Sequence, residues 1–195
     1  MAKSVEFFFD YGSPASHIAF FELRKIARAA GAEILWRPVL LGGIFKAINS
    51  HSPVEIAPKG TWMMWDLANY AARCGVPFVH NPHFIINTLA IMRGAIVAER
   101  RGELERYSEA MLYAIWRDAL DMDEPAVIGQ ALATYGFDAK AYFAGVQEAS
   151  VKDDHKARTD AAVARGVFGL PTFFVDGKMW WGQDRLDWVK DALRT

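Results

Sequence analysis

Val5-Glu6-Phe7-Phe8-Phe9-Asp10-Tyr11-Gly12-Ser13-Pro14-Ala15-Ser16-His17 reads as a buried strand, a tight turn and the opening of a helix. The run 5–9 is short and strongly apolar, the pattern of a strand covered on both faces. Pro14 suits the first helical position, where its missing N–H is not needed. Ser13 therefore falls at a helix N-terminus, where backbone N–H groups lack internal partners and the macrodipole favours negative charge. Serine is also a preferred N-cap, so on its own it reads as a cap. A functional reading has to draw on the rest of the chain.

Working outward, residues 14–30 carry helical periodicity through Ile18, Phe21, Leu23 and Ile26 and stop at Gly31. Residues 33–38 form a second strand. Residues 41–60, rich in Gly, Asn, Ser and Pro, read as a long loop, and such connections are usually functional. Helical periodicity then fills 61–74, 87–101, 103–118, 124–135, 138–147 and 151–165, with breaks at Gly75-Val76-Pro77, Asn81-Pro82, Gly102 and Gly136. Strand character returns at 172–175, Asp176-Gly177 is a hairpin turn, and 178–181 is the return strand. Asp184 is placed to cap a last helix. This order predicts an α/β domain of residues 1–60 and 166–195, interrupted by an all-helical insertion of residues 61–165.

The chain has 195 residues, 52% of them hydrophobic, enough to bury a core of its own. A net charge of −1 with no basic stripe argues against nucleic acid as a partner. The single cysteine, Cys74, excludes a disulfide within the chain and fits a reducing compartment. No signal-like segment opens the chain and no apolar run is long enough to span a bilayer, so the expected setting is the cytoplasm, away from membranes. The five histidines fall at no zinc-ligand spacing, and no metal site is expected.

The order βαβ, helices, ββα resembles a thioredoxin-like fold. There a Cys-x-x-Cys stands where the first strand meets the first helix, its thiolate stabilised by the helix N-terminus. Here those four residues are Ser13-Pro14-Ala15-Ser16, so both sulfurs are hydroxyls and dithiol–disulfide exchange is excluded. A place built for a thiolate remains, and the economical inference is that the sulfur arrives on a bound molecule, glutathione, with Ser13 donating a hydrogen bond to it. In Gly169-Leu170-Pro171-Thr172 the proline stands just before a strand, where it lacks a ladder donor. In thioredoxin-like folds this bond is cis and faces the first helix, leaving the backbone of Leu170 to pair with a tripeptide as an added strand. Trp180-Trp181-Gly182-Gln183-Asp184 follows: Gly182 permits close backbone approach, and the tryptophans also read as core residues.

Together with Leu41-Gly42-Gly43-Ile44-Phe45-Lys46 and Asn81-Pro82-His83-Phe84, these motifs resemble the 2-hydroxychromene-2-carboxylate isomerases of the kappa-class glutathione transferase group, from Val5 to about Val189. The resemblance implies that Ser13 activates the glutathione sulfur and that Leu170 and Pro171 hold the cysteinyl backbone. It implies that Trp181, Gly182, Gln183 and Asp184 bind the γ-glutamyl end. Ser50, after Asn49, stands where the family often has asparagine after glycine. The implied reaction is a glutathione-dependent cis–trans isomerisation of an aromatic ring-cleavage product by reversible thiolate addition to an enone. Lys46, Lys59 and Arg93 are candidates for the partner of the aromatic carboxylate substrate, with Asn81, Phe84 and Asn87 lining its wall. Alternatives are a kappa-type transferase or peroxidase acting on another electrophile, and a DsbA-like binding protein without catalysis. The aromatic-rich helical block also suggests a homodimer.

Overall fold

The computed structural model describes residues 3–194. The chain runs β1 (Ser4–Phe9), α1 (Pro14–Ala30), β2 (Glu33–Pro38), α2 (Leu41–Ala47), α3 (Ala57–Cys74), α4 (Leu89–Arg100), α5 (Leu104–Trp116), α6 (Pro125–Thr134), α7 (Ala139–Gly145), α8 (Ala149–Ala164), β3 (Thr172–Val175), β4 (Lys178–Trp181) and α9 (Leu186–Arg194). Short 3-10 turns occupy Pro53–Glu55 and Gln183–Arg185. The sheet order is β2-β1-β3-β4, with β1 parallel to β2 and antiparallel to β3, and β4 antiparallel to β3. This is a thioredoxin-like sheet with helices inserted between its halves.

Alternation along β1 sends side chains to opposite faces. Phe7 and Phe9 stack at 5.0 Å, Phe7 meets Phe173 at 5.4 Å, and both join the core formed with α1, α4, α5 and α9. Phe8 points to the other face, where Ile44 of α2, Ala162 of α8, Leu170 and Phe174 cover it. Both residues of the Asp176-Gly177 turn have positive φ (49° and 77°), as a two-residue hairpin requires. Among the described residues no helix is long and apolar enough to cross a membrane.

Two local expectations are corrected. Residues 41–60 are not a loop: they hold α2, a 3-10 turn and the start of α3. Gly42 and Gly43 hid α2, because glycine is a poor helix former. Tertiary anchors hold it instead: the Leu41 N–H donates to Asp10 Oδ2 at 2.8 Å and the Leu40 N–H to Thr159 Oγ1 at 3.1 Å. Asp184 does not cap the last helix. Gly182, at φ 101°, turns the chain into the 3-10 turn that contains Asp184, and α9 begins at Leu186.

Candidate active site

Ser13 is the N-cap of α1, buried, with extended backbone at φ −91° and ψ 113°. Its Oγ accepts from the Ser16 N–H at 3.1 Å and donates to the Leu170 carbonyl at 3.2 Å. The Leu170–Pro171 bond is cis, as its place before β3 suggested. The N–H groups of Ala15, in the first turn of α1, and of Leu170 have no backbone partner among the described residues. One hydroxyl and two N–H groups therefore stand where strand, helix and cis proline meet, a donor set that suits a sulfur anion and an extended peptide. Ser16 is fully buried and its Oγ has no partner among the described residues.

The surroundings hold this turn rigid. Asp10, which sequence reading quoted but gave no role, is buried and accepts from the Gly12 N–H (2.8 Å), the Leu41 N–H (2.8 Å) and Thr88 Oγ1 (2.7 Å). Burial raises its pKa, and these three donors oppose the rise. The signal was available: an acidic residue directly after an apolar strand needs donors of its own. Tyr11 bonds Ser108 Oγ at 2.9 Å, and its carbonyl accepts from Trp116 Nε1 at 2.8 Å, tying the turn to α5. His17 is buried with Nε2 at 2.7 Å from the Pro77 carbonyl, so Nε2 carries the proton. Burial pushes its pKa down to about 4, so it stays neutral near pH 7 and brings no charge to the site. Burial raises the Cys74 pKa, so its thiol does not supply a ready thiolate.

On the far side, β4 delivers Trp181, half-exposed, with its ring 5.0 Å from that of Phe168. Gly169 leaves room for that ring, since a methyl there would lie 2.6 Å from Trp181 Nε1. The Gly182 N–H bonds the Pro171 carbonyl at 3.0 Å, and the Gln183 carbonyl accepts from Tyr70 Oη at 3.1 Å. Pro171, Gly182 and Gln183 are thus joined through the backbone next to the cis bond. Asp184 is exposed and paired with Arg185. Asn49 has φ 53°, the left-handed conformation a glycine would supply, and sets Ser50 half-buried after α2.

The residues expected to line a substrate wall separate. Phe84 and Ile85 face Gly60, Met64 and Trp65 of α3 and His80 across a cleft of about 620 Å³. The next residue, Ile86, places its carbonyl beside Gly12, so this wall adjoins the Ser13 turn. Trp65 and His80 escaped the sequence reading, although two tryptophans three apart on a helix were a visible sign. Lys46 is exposed in the last turn of α2. Lys59 lines a different, apolar hollow with Pro53, Pro58 and Trp62. Asn87 Oδ1 accepts from the Leu89 N–H at 3.1 Å, at the start of α4. Asn81 is fully buried and its amide is committed to the carbonyls of Ile115 and Leu120 and the His83 N–H, so it lines no wall. Arg93 lies half-buried on α4.

The family model of the DsbA-like thioredoxin domain matches residues 4–194. A Sphingobium xenophagum protein named 2-hydroxychromene-2-carboxylate isomerase is 30% identical over 195 residues, 99% of each chain. The human protein named glutathione S-transferase kappa 1 is 29% identical over 99% of this chain and 92% of its own. The solved structure of a 2-hydroxychromene-2-carboxylate isomerase superposes with a TM-score of 0.88 at 26% identity, covering 97% of this chain and 94% of that one.

Proposed function

The chain belongs to the DsbA-like thioredoxin family, and from that membership we propose a glutathione-dependent isomerase that interconverts 2-hydroxychromene-2-carboxylate and trans-o-hydroxybenzylidenepyruvate type compounds. Relatives 30% and 28% identical over 99% and 97% of this chain carry the isomerase name. The observation that carries the reading is Ser13: a hydroxyl at the thiolate position of the helix N-terminus, facing the residue before the cis proline. A pocket that keeps its anion-stabilising donors and has lost its own sulfurs suits a borrowed one.

Glutathione, when bound, would supply a nucleophilic thiolate for reversible addition to a conjugated enone. The residues of this chain bind and hold charge. Ser13 turns its O–H from the Leu170 carbonyl to the sulfur, and the Ala15 N–H and the α1 dipole add to the same field. Lowering the thiol pKa by two units corresponds to about 2.7 kcal/mol, within the range of one charge-assisted hydrogen bond and a dipole. The freed Leu170 carbonyl and its N–H take the cysteinyl backbone as an added strand beside Pro171. Trp181, Gly182, Gln183 and Asp184 receive the γ-glutamyl end, Asp184 exchanging Arg185 for the ammonium, and Ser50 supplies a hydroxyl after α2. Phe84 packs the aromatic ring in the cleft beside α3. Asn87, Lys46 and Lys59 stand outside the lining of that cleft, Lys59 in the hollow beside Trp62, so Phe84 alone of the substrate-side candidates packs the ring there.

The reading includes a cytoplasmic homodimer. Trp62 and Trp65 on α3 expose 61% and 62% of their area, an apolar surface that a second copy would cover. A second reading, a transferase acting on another electrophile, is favoured by the kinship with human glutathione S-transferase kappa 1. Calorimetry with glutathione, followed by assays on an isomerisable benzylidene enone and on a chloronitroaromatic, decides. Uptake of glutathione with turnover of the enone is expected. Turnover of the chloronitroaromatic alone selects the transferase, and no heat at millimolar glutathione overturns both.

A further inference from the structure

Arg93 is anomalous among the arginines of the helical layer. Arg24 pairs with Glu105 and Glu109, Arg100 with Glu148 and Asp154, and Arg158 with Glu99 and Asp154. Arg93 forms no ion pair with any described residue, and its Nε is buried without a hydrogen-bond partner. His155 on α8 is 2% exposed, and its Nε2 is likewise buried and unpartnered. The two helices pack on each other: Arg100 reaches Ser150 and Asp154 across the junction. Arg93 stands seven residues before Arg100, on the same helix face. The positive charge of Arg93 bears on the His155 ring and, after burial itself, helps to hold it neutral with a pKa of about 4.

A half-buried guanidinium beside a neutral imidazole is short of one negative charge. The nearby acids do not supply it, because Glu99 and Asp154 are engaged with Arg158. The location also fits a ligand. Thr88, five residues before Arg93, bonds Asp10, and Thr159, four residues after His155, bonds the Leu40 N–H next to α2. Arg93 thus lies about 8 Å along its helix from the bond that anchors the Ser13 turn, and His155 about 6 Å along its own from the bond that anchors α2 beside that turn.

We propose that Arg93, backed by His155, is the carboxylate anchor of this site. The guanidinium offers its planar fork to two carboxylate oxygens, and the imidazole N–H adds a third bond. The proposal rests on the glutathione-dependent reading above. The carboxylate is either the glycyl carboxylate of glutathione or the acid group of the aromatic substrate.

Calorimetry on the wild type, Arg93→Met, Arg93→Lys and His155→Gln separates the sources. The probes are glutathione, its glycyl ethyl ester, an aromatic benzylidene 2-oxo acid and the methyl ester of that acid. The wild type should prefer one acid over its ester at least tenfold, and Arg93→Met should erase that preference for that ligand alone. A loss confined to glutathione identifies the glycyl carboxylate, and a loss confined to the aromatic acid identifies the substrate. If Arg93→Met fails to fold, Arg93→Lys decides, since it keeps the charge and loses the fork. It should weaken the same acid at least threefold, and unchanged affinity for both acids overturns the proposal. Glutathione binding with acid-over-ester preferences untouched by every Arg93 variant overturns the anchor and leaves the isomerase reading standing. No glutathione uptake by the wild type overturns both.

Discussion

The hydroxyl of Ser13 and the carbonyl of Leu170 meet at 3.2 Å across the mouth of the site. That is longer than the 2.7–2.8 Å typical of O–H···O bonds, so the proton of Ser13 is held weakly and is available to a stronger acceptor. The same oxygen accepts from the Ser16 N–H. The serine therefore anchors the helix with its lone pair while its proton remains exchangeable.

Replacing that oxygen by sulfur tests the electrostatics directly. Ser13→Cys should give a thiol titrating well below its ordinary value of about 8.5, because it sits at the α1 N-terminus. Thiolate absorbance followed against pH measures this, and a thiol titrating at or above 8.5 contradicts it. Ser13→Ala should cost about 1 kcal/mol of stability from the lost cap. With glutathione as cofactor it should also lower kcat/KM by roughly a hundredfold, the scale of losing one donor to a developing anion.

Asp10 is expected to matter almost as much while touching no ligand. Asp10→Ala leaves the Gly12 N–H, the Leu41 N–H and the Thr88 hydroxyl without their shared acceptor. A loss of about 2–4 kcal/mol in urea unfolding is predicted, since each stranded buried donor is costly. A change under 1 kcal/mol would mean that water replaces the carboxylate freely.

At the opposite wall, two glycines are constrained, Gly182 by its backbone and Gly169 by the Trp181 ring. Gly182 has φ 101°, and a methyl there would lie 2.5 Å from Asp184 Oδ1. A methyl at Gly169 meets Trp181 Nε1. Gly182→Ala and Gly169→Ala should each destabilise by about 1–3 kcal/mol through strain and overpacking. Gly169→Ala should also shift the tryptophan emission. Unaltered emission together with unaltered glutathione affinity would show that the Trp181 ring does not shape the site.

Acid should weaken the fold through two histidines. Burial holds His17 and His155 at about 4 in the folded state, against an ordinary value of about 6.5. Between those values the unfolded chain binds protons that the folded chain refuses. Stability is therefore complete above about pH 6.5 and falls as pH drops toward 4, by up to about 1.4 kcal/mol per pH unit for each histidine. Urea midpoints at about pH 7 and about pH 5 measure the slope. His17→Gln should remove roughly half of the histidine contribution, and equal slopes in the two proteins would rule His17 out.

Much of the fold was legible because its signals are local. Pro14 and Gly31 mark the ends of α1 through a ring without an N–H and a residue at φ 63°. The Asp176-Gly177 turn and the proline before β3 were equally plain, since turn chemistry acts over two or three residues. The helix at Leu41–Ala47 was not legible, because its glycines argue against it and its anchors lie on Asp10 and Thr159. Asn81, read as a wall, proved to be a buried bridge to Ile115 and Leu120.

By itself the sequence determined the order of elements around the sheet and the exchange of thiols for hydroxyls at the α1 N-terminus, because caps, turns and periodicity are written in neighbouring residues. Only the tertiary structure decided which polar groups are already spent and which remain open. Asp10 is satisfied, the proton of Ser13 is lent to Leu170, and Arg93 Nε and His155 Nε2 have no partner among the described residues. The physical reason is that a hydrogen bond is settled by distance in space, and Leu41, Thr88 and Leu170 lie 31, 78 and 157 residues along the chain from the Asp10 and Ser13 atoms they meet.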